Sequence, residues 1–155
     1  MSMAVTNRKG AKGVRAETRV SFTLPGGTMA GLRWGDPNRT PDLVFFHANG
    51  FNAAAYRTLL TPLAESLSIL AVDQRGHGQT HLPIPTAHRS SWHDLAADAR
   101  ALLEQLDGPP PVVAGHSMGG TASMIAASSN PALAKQLILL DPVILPRRLT
   151  LMMWL

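Results

Sequence analysis

The sequence predicts an α/β fold: a mostly parallel sheet with an antiparallel hairpin on its N-terminal side. Three observations carry this reading. Short apolar runs such as Leu43–Phe46 and Ile69–Val72 have the composition of strands buried on both faces. Segments with apolar residues at helical spacing separate these runs, as strands joined by crossover helices require. Polar and glycine residues follow each run, where such a sheet puts its ligand-binding loops.

The elements follow in chain order. Thr18 to Gly35 reads as two strands joined at Pro25-Gly26-Gly27, with alternation in Val20, Phe22 and Leu24. "DPNRTPD" is a loop, and "LVFF" the first buried strand. "NAAAYRTLLTPLAESL" carries Tyr56, Leu59, Leu60, Leu63 and Leu67 at helical spacing, interrupted by Pro62. "SILAVDQRGHG" is a second buried strand ending in a polar loop, and "HLPIPTAHRS" is irregular. Ser91 and Asp94 resemble a capping box. The helix after it sets Trp92, Leu95, Ala96, Ala99, Leu102, Leu103 and Leu106 on one face. Gly108 and Pro109–Pro111 stop it. "PVVAGHS" is a strand, "MGGTASMIAASS" a small-residue helix, and "LAKQLILLDPV" a strand ending near Asp141. The order is a hairpin followed by βαβαβαβ, with right-handed crossovers expected. Strand ends therefore carry His47-Ala48-Asn49-Gly50, Asp73-Gln74-Arg75-Gly76, His116-Ser117-Met118 and Asp141-Pro142.

The 155 residues suffice for one domain with a core, and 45% hydrophobic content with modest charge fits a globular chain. The net charge of +4 is local: Arg8, Lys9, Lys12, Arg15 and Arg19 against Glu17 account for all of it. The basicity thus belongs to residues 1–19, and the tail, residues 1–17, is expected to be a solvated, disordered arm. A nucleic-acid partner would need a basic face interleaved with aromatics, which the chain lacks. No apolar run reaches the about 20 residues that span a bilayer, so no transmembrane segment is expected. The absence of cysteine excludes disulfide and thiolate chemistry. A cytoplasmic location is the default.

The chemistry concentrates in "VVAGHSMGGTA". Gly115-His116-Ser117-Met118-Gly119 fits G-x-S-x-G on a strand-to-helix turn. A sharp turn holds the serine backbone in a strained conformation and lifts its hydroxyl clear of the sheet. Side chains two residues to either side would collide, so glycine is needed at 115 and 119. The helix N-terminus points N–H groups at an oxyanion formed at Ser117, with the Met118 amide as first donor. The rival reading, a phosphate-binding turn, requires G-x-G-x-x-G or a P-loop, and neither is present.

"HANGF", "DQRGHG", "GHSMGG" and "LILLDPV", in this order and spacing, resemble the N-terminal half of an α/β-hydrolase-fold serine hydrolase. The resemblance covers Thr18 to about Val143. It implies a second oxyanion donor in the loop after the first buried strand. A split His-Gly pair there suggests the Phe51 amide, with Ala48 and Asn49 as alternatives. Asp73 and Arg75 are expected to be structural hydrogen-bonding residues. Family members that open epoxides or remove halogens normally carry aspartate at the position matching 117, so serine argues against both, while the resemblance leaves esters, lactones, amides and C–C bonds open. No metal or organic cofactor is implied.

Serine needs a base, usually histidine oriented by a carboxylate. In this fold the chain order is serine, acid, histidine. Histidines 47, 77, 81, 88, 93 and 116 all precede Ser117. His116 adjoins the serine, but neighbouring side chains on such a turn diverge. Asp141 is a weak candidate for the acid. The expected division is a tail (1–17), the N-terminal part of a hydrolase domain (18–143), and the start of a cap or a truncated terminus (144–155). The expected function is acyl hydrolysis of a small ester-like substrate, catalytically incomplete in this chain; the alternative is a non-catalytic fragment or pseudoenzyme. An incomplete sheet with an open edge is expected to self-associate.

Overall fold

The computed structural model describes residues 17–36, 38–84 and 92–144. The basic tail before Glu17, His88, the capping Ser91 and the apolar end after Ile144 lie outside the described residues.

Six strands form one sheet: β1 (Glu17–Leu24), β2 (Gly27–Trp34), β3 (Leu43–Phe46), β4 (Ile69–Val72), β5 (Val112–His116) and β6 (Gln136–Leu140). Their order across it is β1-β2-β4-β3-β5-β6. The hairpin is antiparallel, and β2 joins it antiparallel to β4. From β4 to β6 every pairing is parallel. Mostly parallel with an N-terminal hairpin is thus the observed architecture. The turn between β1 and β2 is Pro25-Gly26, where Gly26 takes φ 92 at little steric cost.

Among the described residues three α-helices cover the sheet: α1 (Arg57–Leu63), α2 (Trp92–Leu103) and α3 (Met118–Ser129). On one face, Val44, Phe46, Leu70, Val72 and Val113 pack against Ala96, Ala99, Leu102 and Leu103 of α2 and Ala126 of α3. On the other, Leu43, Phe45, Ile69, Ala71 and Ala114 pack against Leu60 of α1 and against Ala53 and Ala64. Adjacent residues of one strand feed opposite cores, which is why β3 and β4 read as unbroken apolar runs.

Two elements differ from their sequence reading. The first helix is shorter: a 3-10 turn at Ala53–Tyr56 precedes α1, which ends one residue past Pro62. Proline offers no N–H to the turn before it, and the chain closes through Ala64 N–H to Leu60 O at 3.1 Å. Leu59 and Leu63, at core-like spacing, are exposed; only Leu60 of α1 is buried. In α2 the buried face includes Asp98, and Trp92 at its start is exposed.

Parallel register brings the strand ends level. Phe46 pairs with Val72 on one side and Gly115 on the other, and His116 pairs with Leu140. The residues that follow lie along one rim of the sheet.

Candidate active site

Ser117 takes φ 48 and ψ −112, a conformation L-residues avoid, at a cost of about 1–3 kcal/mol. The neighbouring strands hold it there. Ser117 N–H donates to Leu140 O at 2.9 Å, and Gly119 N–H to His47 O at 3.1 Å. Thr121 closes the first helical turn onto Ser117 O at 3.0 Å, and its hydroxyl donates to Val143 O at 3.0 Å. The glycines are sterically required. A Cβ at Gly115 would stand 2.5 Å from the Gly119 backbone; one at Gly119 would stand 2.3 Å from Phe46 O. Both meet backbone, which cannot swing aside. The Ser117 side chain is half-exposed, while Met118 through Ser123 are buried.

The loop after β3 is a turn from Ala48 to Phe51. Gly50 supplies φ 78 at its third position, and Phe51 N–H donates to Ala48 O at 3.2 Å, the pattern of a type II turn. The Phe51 amide, expected from the sequence as an oxyanion donor, is engaged in closing this turn. The Ala48 amide donates to the Tyr56 hydroxyl at 3.1 Å, and the Gly50 amide to His77 Nε2 at 3.1 Å. Among the described residues no hydrogen bond uses the Asn49 amide or the Met118 amide. Of the three loop residues weighed as donor, Asn49 alone keeps its N–H free.

The histidines are committed elsewhere. His47 is fully buried; Nδ1 lies 2.8 Å from Ala48 O, and Nε2 accepts the Gln74 amide at 2.9 Å. Burial lowers its pKa to about 4, so it is neutral near pH 7. His77 sits edge-on to His47, with ring centroids 5.0 Å apart. It donates from Nδ1 to Arg75 O at 2.9 Å, leaving Nε2 to accept the Gly50 amide. His116 turns to Tyr56, with Nδ1 2.7 Å from the phenol oxygen. His81 makes a backbone bridge to Thr28, and His93 is exposed at the start of α2.

Asp73 and Arg75 are structural, as expected. The Asp73 carboxylate accepts the Ala53 amide at 2.8 Å and the Gln79 amide at 2.9 Å. Gly78 passes so close that a Cβ would stand 2.0 Å from Asp73 Oδ2. Arg75 forms a two-pronged pair with buried Asp98 at 2.8 and 2.7 Å, and that bond raises its pKa. Asp141 turns the chain after β6 with φ 48; its side chain is exposed. Among the described residues no three His, Cys, Asp or Glu side chains gather as a metal would need.

The strained serine on a strand-to-helix turn meets a sequence match: the model of the alpha/beta hydrolase family covers residues 43–155. The chain belongs to the alpha/beta hydrolase family. The chain is 32% identical over 138 residues to the sn-1-specific diacylglycerol lipase ABHD11 of Danio rerio, covering 87% of the chain and 40% of that protein. It is 33% identical over 101 residues to 2-(acetamidomethylene)succinate hydrolase of Mesorhizobium japonicum, covering 65% and 35% respectively. Among solved structures, Cfl2 from Burkholderia cenocepacia superposes with TM-score 0.74 at 23% identity, over 92% of the chain and 48% of that structure. Epoxide hydrolase VrEH1 from Vigna radiata gives 0.74 at 19% identity, over 90% and 44%. At such identities the structural likeness speaks for the fold alone. The chain spans between 35% and 40% of the length of these two curated relatives.

Proposed function

We propose that this chain carries the nucleophile and oxyanion-binding part of a serine hydrolase that cleaves esters or similar acyl compounds. The observation that carries the reading is the backbone of Ser117 at φ 48, which sets a half-exposed hydroxyl at the head of α3. Relatives named as a diacylglycerol lipase and an amide-containing succinate hydrolase support acyl chemistry.

Ser117 Oγ attacks the acyl carbon, and the carbonyl electrons move onto oxygen. The amides of Met118 and Asn49 receive that oxyanion, the first aided by the helix dipole. A general base takes the serine proton and returns it to the leaving group. Water then attacks the acyl-serine and releases the acid. The rings of His47, His77 and His116 are hydrogen-bonded to other groups, and among the described residues no histidine is hydrogen-bonded to Ser117, so this reading takes the base from outside the described residues.

That same commitment favours a second reading, a chain that is catalytically silent by itself. Loss of the base in a serine enzyme costs about 10⁶ in kcat. Labelling with a fluorophosphonate and turnover of p-nitrophenyl acetate separate the two, with Ser117→Ala as control. Serine-dependent labelling supports the nucleophile; labelling of the alanine variant at the same rate overturns it. Serine-dependent turnover by the 155-residue chain overturns the silent reading.

A further inference from the structure

We propose that Tyr56 is a positioning residue: one phenol oxygen ties the oxyanion turn to the nucleophile turn and sets the distance between them. The proposal builds on the serine hydrolase reading above.

The atoms that can give a proton constrain the two bonds to the phenol oxygen. The Ala48 amide can only donate, so Tyr56 Oη accepts from it at 3.1 Å. The phenol proton is then free to go to His116 Nδ1, 2.7 Å away. In the proposed direction Nδ1 is the acceptor and the ring proton sits on Nε2. The bridged residues are the immediate neighbours of the working groups. Ala48 precedes Asn49, whose amide is free; His116 precedes Ser117.

Tyr56 is well anchored for this task. It ends the 3-10 turn, whose first residue, Ala53, is fastened by its amide to Asp73 at 2.8 Å. Asn52 caps the turn by accepting the Ala55 amide at 3.1 Å. The ring packs against Phe45 at 4.7 Å and meets Phe51 and His116 edge-on, each at 6.0 Å. Phenylalanine would keep those ring contacts while removing the oxygen. Its effect would therefore isolate the bridge.

The test compares Tyr56→Phe with the unaltered chain in three measurements. The first is the rate of fluorophosphonate labelling at Ser117, resolved into probe binding and bond formation. The variant is expected to slow bond formation about tenfold or more, because misplaced catalytic groups lose rate steeply, with probe binding unchanged. The second is the ¹⁵N spectrum of His116, expected to show a proton-free, hydrogen-bonded Nδ1 that changes in the variant. The third is the shift of the Ala48 amide proton, expected to move upfield when its acceptor is lost. A proton on Nδ1 of neutral His116, or an Ala48 amide that does not respond, overturns the proposal. So does labelling at the unaltered rate. If Ser117→Ala labels like the unaltered chain, the hydrolase reading fails; the two spectroscopic results then still decide whether the bridge exists.

Discussion

His47 shows at the scale of one residue how this chain buries a titratable group to hold a loop. Its carbonyl accepts from Gly119 and from the Gln74 side chain, and its ring receives the Gln74 amide. Burial lowers the imidazole pKa from 6.5 to about 4. The unfolded chain binds a proton at the higher value and the folded chain only at the lower. Stability is therefore full above pH 6.5 and declines as pH falls toward 4, by up to about 3 kcal/mol from this group. Urea unfolding at pH 7.5, 5.5 and 4.5 is expected to show the decline, and His47→Gln to flatten it. The sequence places His47 in the oxyanion-side loop with a structural role, and the Ser117 turn is equally plain. Two glycines at fixed distances leave few other uses for such a backbone. The partner of His116 was not legible, because Tyr56 lies 60 positions away and looked like one more apolar residue on a helix face.

At the scale of the element, the turn after β3 decides which amide is available. "HANGF" alone left Ala48, Asn49 and Phe51 open. The choice depends on turn type, which follows from Gly50 at the third position and the bond from Phe51 to Ala48. Proline suits the second position of such a turn and carries no N–H. Asn49→Pro is thus expected to keep the fold while slowing Ser117 labelling or turnover about 100-fold or more, as loss of one oxyanion donor does. A circular dichroism melt checks the first half and fluorophosphonate kinetics the second; an unchanged rate would remove Asn49 from the site. The other departures are also matters of elements. Pro62 cut short a helix whose spacing had promised a wider buried face. Asp98 sits within the buried face of α2 because Arg75 reaches it from the loop after β4. Such a pair is invisible to periodicity, since it depends on two segments meeting.

At the scale of the molecule, the sheet class and the succession of strands along the chain were readable because each strand is a bounded apolar run. The side on which the hairpin joins was not, because no local pattern tells β2 to pair with β4. The far edge is the exposed one. Among the described residues β6 pairs with β5 alone, and it shows Ile138 at 41% and Leu140 at 40% exposure. An open strand edge bearing apolar side chains is a template for association. Light scattering across a concentration series is expected to show the isolated chain self-associating, and Ile138→Lys to reduce it. A monomer at all concentrations with a sharp melt would contradict this. The amides proposed to meet the developing charge belong to the main chain, and every amino acid except proline supplies one. Mutation can therefore redecorate positions 49 and 118, altering which compounds fit, while the electrostatic apparatus stays the same. A scaffold of this kind suits the diversification of substrate preference within one chemistry.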